Sequence, residues 1–196
     1  MKKGKNNWFN RYSTPTALTG ILLGLTVFGP VGCSRTETKP SVRTVKTEES
    51  QVRLEERILK EHKKVVEWNP NNAMAHADLA SIYYSLKKYD EAVAEYRKAL
   101  ELNPHFAEAH YGLGEVLDER GELNKAIMEI KRAIEIKPKY SAAHELLGYF
   151  YLNEKLYDEA EKEFKVAANL DPFSVFSHVN LVQIYLNKEM VDDAEN

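Results

Sequence analysis

The chain has 196 residues with 27 basic and 30 acidic side chains, a net charge of −3. This acidic balance opposes nucleic-acid binding, because sequence-independent affinity for nucleic acid needs clustered Lys and Arg facing phosphates. Cys33 is the single cysteine, so no intramolecular disulfide can form and stability must come from packing.

The N-terminal segment 1–32 has the features of a secretory signal. Basic residues up to Arg11 precede an apolar run over residues 17–32, and no acidic residue occurs before Glu37. The run is shorter than the about 20 residues of a membrane span and ends in small residues, so residues 1–32 are predicted to be a signal peptide. An uncleaved anchor, or a cleaved signal with an incidental cysteine, would also place the rest of the chain outside the cytosol.

The run ends Pro30-Val31-Gly32-Cys33, which resembles the signal of bacterial lipoproteins, although that class usually has an aliphatic residue at the position of Pro30. The resemblance implies diacylation of the Cys33 thiol and anchoring to a membrane. Four of the 27 basic residues precede Cys33, which leaves 23 against 30 acidic residues and a net charge of about −7 in the mature chain. Residues 33–50 are predicted to be the lipidated cysteine and a flexible tether, because they are rich in Ser, Thr, Lys and Glu without aliphatic periodicity. A disordered leader without a tethering role would have the same composition.

Residues 51–70 are predicted to form one helix that caps the helical hairpins formed by the rest of the chain. It corresponds to the second helix of a hairpin whose first helix is missing. Leu54, Ile58, Val65 and Val66 lie on one stripe of this helix, and the opposite face is charged.

Four prolines are equally spaced after this helix, namely Pro70, Pro104, Pro138 and Pro172. They separate three copies of one sequence repeat, 73–106, 107–140 and 141–174. A fixed period of this length indicates stacked supersecondary units, since one unit alone cannot bury its apolar face. Large and small apolar residues recur in register in two helical segments per copy. In the first segment these are Leu79, Leu113, Leu147, Leu181, then Ala80, Gly114, Gly148, then Tyr83, Leu117, Tyr151, Tyr185; in the second they are Ala92, Ala126, Ala160, Ala194, then Tyr96, Ile130, Phe164, then Ala99, Ala133, Ala167.

These residues resemble the tetratricopeptide repeat. The resemblance covers residues 51–196 and implies an all-α, right-handed superhelical solenoid of helix-turn-helix hairpins. Asp90, Asn124 and Asp158 are predicted to be N-caps of the second helices. Each repeat-ending proline is predicted to stop a second helix at Asn103, Lys137 or Asp171.

A partial repeat over residues 175–196 is predicted to be a fifth hairpin that frays near Ala194. An alternative hypothesis follows from this unfinished repeat, namely that the chain is the N-terminal docking region of a longer protein with an effector or enzymatic domain beyond residue 196.

Four histidines, His76, His110, His144 and His178, share the repeat period. Equivalent residues on stacked hairpins lie about 10 Å apart, whereas zinc needs ligands about 2 Å from one ion, so a ladder of structural histidines is predicted and no metal site. The sequence has no phosphate loop, nucleophile elbow or metalloprotease motif, and we therefore predict a protein that is not an enzyme and needs no cofactor.

The resemblance implies an inner concave surface formed by one stripe of each first helix. The stripe contains no Lys or Arg, and its residues are Met74, Ala77, Ser81, Tyr84, Ser85; Glu108, Tyr111, Glu115, Asp118, Glu119; Ala142, Glu145, Tyr149, Leu152, Asn153; and Phe176, Val179, Gln183, Leu186, Asn187. Relatives that hold the C-terminal carboxylate of chaperones use basic residues here, so an acidic and aromatic groove favours a protein or peptide with basic and apolar residues. The predicted contacts are Glu108, Tyr111, Glu115, Asp118, Glu119, Glu145 and Tyr149. The same acids could instead form a solvated face that keeps the array soluble.

Together these observations predict an exported, lipid-anchored adaptor in the bacterial cell envelope, facing the periplasm, without nucleic-acid binding. It resembles tetratricopeptide lipoproteins of Gram-negative bacteria, which implies a role in the assembly of the envelope or of a pilus or secretion system.

Overall fold

The computed structural model describes the backbone of residues 42–195 and the side chains of residues 53–189. This part of the chain forms eight α-helices and no strand. The helices are α1 Val42–Trp68, α2 Ala73–Ser85, α3 Tyr89–Leu102, α4 Ala107–Glu119, α5 Leu123–Ile136, α6 Ser141–Asn153, α7 Tyr157–Leu170 and α8 Val175–Glu195. The predicted signal peptide and Cys33 lie outside the described residues.

The helices pack in chain order as a stack of hairpins. The closest packing is within the pairs α2/α3, α4/α5 and α6/α7, and each second helix also packs on the first helix of the next pair. First helices meet one another directly in α2/α4 and in α6/α8. The predicted all-α solenoid of helical hairpins is confirmed.

Small residues let the two helices of a hairpin approach. Ala126 is fully buried, and a Cβ atom added to Gly114 would lie 2.6 Å from Cδ1 of Ile130 and 3.3 Å from the Ala126 carbonyl oxygen. A Cβ atom on Gly148 would lie 3.0 Å from the Phe164 ring. Large side chains of the second helix thus occupy the space that a small first-helix residue leaves, as the repeated pattern predicts.

Each hairpin turns through one residue with positive φ, namely Lys87, Gly121 or Lys155. In the first turn, the N–H of Lys87 donates to the Tyr84 carbonyl and that of Lys88 to the Tyr83 carbonyl, which is a Schellman motif. This turn sets the start of the next helix at Tyr89, Leu123 or Tyr157. The prediction that Asp90, Asn124 and Asp158 are N-caps is therefore wrong, because the helices start two residues earlier than such caps would give and all three residues lie within the first turn.

The repeat-ending prolines stop the second helices where the sequence predicts. α3, α5 and α7 end at Leu102, Ile136 and Leu170, and Asn103, Lys137 and Asp171 are their C-caps. Each cap residue directly precedes a proline, which disfavours helical backbone in that residue.

Both ends of the array differ from the prediction. α1 begins at Val42 and not at the predicted start, Gln51, so residues 42–50 are helical and do not belong to a flexible tether. Residues 42–50 contain neither Pro nor Gly. The helix can therefore extend into these residues without the free-energy cost of nucleating a new helix.

At the other end, α8 is one continuous helix, and the predicted turn into a fifth hairpin is absent from residues 175–195. Glu189 has the register of Lys155 but stays helical. The side chain of Ala194 lies outside the described residues.

The predicted apolar stripe of α1 is only partly covered. α1 packs on α2 and Val66 is half-buried, whereas Leu54 and Val65 are each 41% exposed. None of the helices in residues 42–195 is long and apolar enough to cross a bilayer.

Candidate functional site

One face of α4 has acidic and aromatic side chains at helical spacing. Glu108, Tyr111, Glu115, Asp118 and Glu119 follow one another at intervals of one to four residues, so they share one side of the helix. Rings from three neighbouring elements complete this surface. We call it the acidic–aromatic surface, and it comprises Tyr84, Tyr89, Glu108, Tyr111, Glu115, Asp118, Glu119 and Tyr140.

Glu115 lies at the centre of this surface and is half-buried. Its Oε1 accepts a hydrogen bond of 3.2 Å from the Tyr111 hydroxyl. Burial raises the pKa of the Glu115 carboxyl from 4.5 to about 7, and repulsion from Glu119 acts in the same direction, whereas the Tyr111 bond opposes both. Near neutral pH this carboxyl is consequently divided between its neutral and charged forms.

Two pairs of tyrosine rings flank Glu115. The ring centroids of Tyr84 and Tyr89 are 6.0 Å apart, and those of Tyr111 and Tyr140 are 5.2 Å apart. Burial, followed by the nearby carboxylates, raises the pKa of Tyr84 and of Tyr111 well above the ordinary range, and that of Tyr140 to about 12. These hydroxyls therefore remain protonated and can donate hydrogen bonds at physiological pH.

Tyr96 reaches this surface from α3 because Gly112 leaves room for it. A Cβ atom on Gly112 would lie 2.3 Å from the Tyr96 hydroxyl oxygen. Tyr96 is buried, and the charge of Glu115 contributes to raising its pKa, after burial itself. The sequence places Leu146 at the position equivalent to Gly112 and Ile130 at that of Tyr96, so a large residue on one helix accompanies a smaller one on the other.

Lys137 borders the surface at one edge. Its Nζ lies 2.7 Å from Oε1 of Glu108 and 4.7 Å from the Tyr140 ring centroid. The hydrogen bond from Lys137 lowers the pKa of Glu108. The predicted stripe itself has no Lys or Arg, but this lysine reaches it from the C-terminal cap of α5, outside the first-helix register.

The predicted contacts Glu145 and Tyr149 lie in the next repeat and contact α8. Glu145 accepts hydrogen bonds from the Ser174 hydroxyl and, at 2.7 Å, from the Ser177 hydroxyl. The Tyr149 ring centroid is 6.5 Å from that of Phe176. Both side chains thus help to hold α8 against the stack, in addition to any role toward a partner.

The periodic histidines form a structural ladder, as predicted. In His76, His110 and His144, Nδ1 lies 2.6–2.7 Å from a second-helix glutamate, and Nε2 lies 3.0–3.1 Å from the carbonyl of the preceding repeat proline. The hydrogen bonds that His110 and His144 donate to Glu129 and Glu163 raise the pKa of these histidines. The side chains described here contain no group of His, Cys, Asp and Glu that could hold a metal ion.

Sequence reasoning missed several members of these clusters. Tyr89 and Tyr140 stand at the junctions of helices and outside the first-helix stripe, although Phe106 precedes Tyr140 by one period and marks that position as aromatic. The glutamates of the histidine ladder, Glu95, Glu129 and Glu163, share the same repeat period, which could have identified them as partners.

Comparison with solved structures gives several neighbours of the same fold. MamA matches with a TM-score of 0.64 at 23% identity, over 80% of this chain and 90% of MamA. YrrB, described as a tetratricopeptide repeat protein with an unusual peptide-binding site, matches with a TM-score of 0.57 at 28% identity, over 71% of this chain and 72% of YrrB. The first tetratricopeptide repeat domain of Spaghetti (RPAP3), bound to the HSP90 peptide SRMEEVD, matches with a TM-score of 0.58 at 19% identity, over 60% of this chain and 94% of that domain.

No curated protein sequence matches this chain significantly. Four family signatures described as tetratricopeptide or TPR repeats match residues 63–94, 80–119, 107–140 and 129–175. Together they extend from residue 63 to residue 175, which is more than half of the chain, and the chain therefore belongs to the tetratricopeptide repeat proteins.

Proposed function

We propose that this chain is an exported, lipid-anchored adaptor of the bacterial cell envelope. Its acidic–aromatic surface binds a segment of a protein partner that has Lys or Arg beside apolar residues, and this binding serves the assembly of the envelope or of a pilus or secretion system. The observation that carries the proposal is the concentration of Glu108, Glu115, Asp118 and Glu119 on one face of α4 among tyrosine rings.

The chemistry of this surface suits a cation with an apolar stem. Carboxylates attract Lys or Arg and speed encounter, while the faces of tyrosine rings bind cations and apolar groups. Lys137 already lies over the Tyr140 ring beside Glu108, and this arrangement is the kind of contact that a partner lysine would make further along α4.

Two solved neighbours support peptide binding by this fold. The peptide bound to one of them is acidic, unlike the ligand proposed here. YrrB is described as having an unusual peptide-binding site, and the Spaghetti domain is bound to SRMEEVD, a peptide with three acidic residues near its C-terminus. The surface proposed here is acidic, so its ligand must have the opposite charge.

The test uses a labelled peptide of alternating Lys and Leu, with a Glu and Leu peptide of equal length as its control. Changing Glu115, Asp118 and Glu119 together to Gln is expected to slow association several-fold at low salt and to flatten its salt dependence, because steering charge is lost. The matched control changes the exposed Glu91, Glu159 and Glu189 to Gln, which removes three carboxylates elsewhere. Equal association rates and salt slopes for both triple variants would refute the proposed surface.

The surface is proposed to continue over Glu145 and Tyr149. Tyr149→Ala is expected to speed dissociation of the Lys and Leu peptide with little change in association, since a buried ring acts mainly on the dissociation rate. Tyr149 also packs near Phe176, so the unfolding midpoint of the variant must be measured in parallel. An unchanged dissociation rate in a folded variant would remove Tyr149 from the surface.

Anchoring is tested at Cys33. Cells expressing the full chain or its Cys33→Ser variant are given a fatty-acid probe, and incorporation into the protein is compared. Label is expected in the parent chain alone, together with partition into membranes, because two or more acyl chains give stable anchoring. Equal incorporation into both proteins would exclude acylation at Cys33 and leave export as a separate question.

A further inference from the structure

Oppositely charged side chains join consecutive repeats at the edge of the array where the hairpins turn. Nη1 of Arg120, the C-cap of α4, lies 2.8 Å from Oδ1 of Asp90 in the first turn of α3. Two repeat periods later, Nζ of Lys188 in α8 lies 2.6 Å from Oδ1 of Asp158 in the first turn of α7. The two basic side chains are 33% and 31% exposed, so their stems lie against the junctions that they bridge.

The junction between these two lacks such a pair. The residues in the same register are Glu154, where the flanking junctions have a cation, and Asn124, where they have a carboxylate. An acid and an amide cannot form a salt bridge, and none of the side chains described in residues 53–189 forms one with Glu154. An open groove of about 700 Å³, lined by both residues, lies at this junction.

Apolar side chains form part of the wall of this groove. Leu123 and Ile127 of α5 are half-buried there, and Leu156 in the turn before α7 is 45% exposed. At the first junction, Glu122 has the register of Leu156, and its Oε1 lies 2.8 Å from Nε of Arg120. The middle junction therefore has an exposed apolar side chain where the first junction has a second salt bridge.

The charges of the groove favour a cation. Glu122, Lys125 and Glu154 line it, and two carboxylates with one ammonium give a net charge of −1. Nζ of Lys125 lies 2.6 Å from Oε2 of Glu122, so these two charges oppose each other and the charge of Glu154 remains. Asn124 adds an amide oxygen that can accept a hydrogen bond.

We propose that this groove binds an arginine of a protein partner together with an apolar residue next to it in the partner's chain. The guanidinium takes the place that Arg120 and Lys188 have at the flanking junctions. It donates hydrogen bonds to Glu154 and Asn124, while the apolar side chain covers Leu156. Arginine suits this place better than lysine, because its planar fork of five donors can reach a carboxylate and an amide oxygen together.

The groove is separate from the acidic–aromatic surface. None of the residues that line the groove belongs to that surface. A partner can therefore occupy one site without the other, and variants of the two sites can be measured separately. Since an exposed ion pair alone contributes little to affinity, the apolar contact is needed for measurable binding.

Amide NMR of the isotope-labelled full chain in mild detergent locates the contact. The probe is a short peptide with one Arg-Leu pair between Gly and Ser residues, and the control peptide has Glu in place of Arg. Saturable shifts are expected in residues 121–125 and 154–156 with the Arg-Leu peptide and not with the control. Absence of these shifts, or shifts confined to the acidic–aromatic surface, would overturn the groove as an arginine site.

A double variant, Asn124→Asp with Glu154→Arg, builds at this junction the pair that its neighbours have. It is expected to weaken binding of the Arg-Leu peptide about tenfold, because the new side chain occupies the groove and repels the peptide's charge. Its unfolding midpoint is expected to equal or exceed that of the parent chain. The control is Glu91→Gln, which removes an exposed acid of α3 and is expected to leave binding unchanged. Unchanged affinity in the double variant, or an equal loss in the control, would contradict the proposal.

Two milder changes test the groove without rebuilding the junction. Glu154→Gln and Leu156→Ser alter exposed side chains, and each is expected to weaken binding of the Arg-Leu peptide several-fold. The triple Gln variant of Glu115, Asp118 and Glu119 is expected to keep the shifts in residues 121–125 and 154–156. Loss of these shifts in the triple variant, or full affinity in both single variants, would place the peptide elsewhere and refute the groove.

Discussion

The substitution Glu115→Gln separates the stability of this fold from the charge of its acidic–aromatic surface. Glu115 is half-buried, accepts the Tyr111 hydroxyl at 3.2 Å and has its pKa raised by burial to about 7. Gln has nearly the same shape and can still accept that hydroxyl, but it never carries charge. The change therefore removes the cost of burying a carboxylate and leaves the packing almost as it was.

The pH dependence follows from the direction of the pKa change. The folded chain holds the Glu115 proton more tightly than the unfolded chain, so the free energy of unfolding falls as pH rises from about 4.5 to about 7 and is then constant. The gap between pKa values of 4.5 and about 7 corresponds to about 3 kcal/mol at full ionisation. Glu115→Gln is thus expected to stabilise the chain by about 2–3 kcal/mol at pH 8 and to have little effect at pH 4.

Urea unfolding followed by circular dichroism at several pH values measures this difference. Glu91→Gln, an exposed acid in the first turn of α3, serves as the control for loss of one negative charge. The difference between the Glu115→Gln and parent chains should grow through the interval from pH 4.5 to 7, while that of the control should stay small. A difference that does not change with pH would refute the raised pKa of the Glu115 carboxyl.

Two other substitutions probe the packing and the histidine ladder. Gly114→Leu is expected to lower the free energy of unfolding by about 1–3 kcal/mol, because even its Cβ atom would lie 2.6 Å from Ile130, and an unfolding midpoint equal to that of wild type would contradict the repeat register. Glu163→Gln removes the carboxylate that raises the pKa of His144, so the stability that this pair contributes below pH 6.5, and loses as pH rises through the folded pKa, should disappear. Unfolding profiles against pH that match in shape for Glu163→Gln and wild type would show that the pair contributes no such stability.

The repeated part of the fold could be predicted from the sequence because each hairpin obeys local rules. Proline after Asn103, Lys137 and Asp171 stops a helix wherever it occurs, and Ala or Gly opposite a large side chain permits close packing in every copy. The same reasoning correctly made the periodic histidines structural, since a spacing of one repeat period separates them by one hairpin.

The helix starts could not be predicted as easily. Asp90 and Asp158 have the chemistry of N-caps, but after the Schellman turns through Lys87 and Lys155 the N-caps lie two residues earlier, at Lys88 and Leu156. Local sequence preferences indicate that a turn is present. The hydrogen bonds of the complete turn decide at which residue the next helix starts.

The candidate site was predicted in part. Five residues of α4 share a face by helical spacing alone, and the sequence sufficed to place them together. Tyr89, Tyr140 and Lys137 join them from other helices, and the attachment of Glu145 to Ser177 depends on how α8 lies against α6. Contacts of this kind join residues from different repeats and have no local signal.

The sequence by itself thus determined the period, the alternation of first and second helices, and the acidic face of α4, because all three depend on residues within one repeat. The tertiary structure decided which faces lie against a neighbour. Ile58 and Val182 are apolar in the same way as core residues, yet both are exposed, because burial depends on the presence of a partner helix and not on the side chain alone. Likewise, the raised pKa of Glu115 comes mainly from its burial, which depends on the helices packed around α4, and repulsion from Glu119 adds to it.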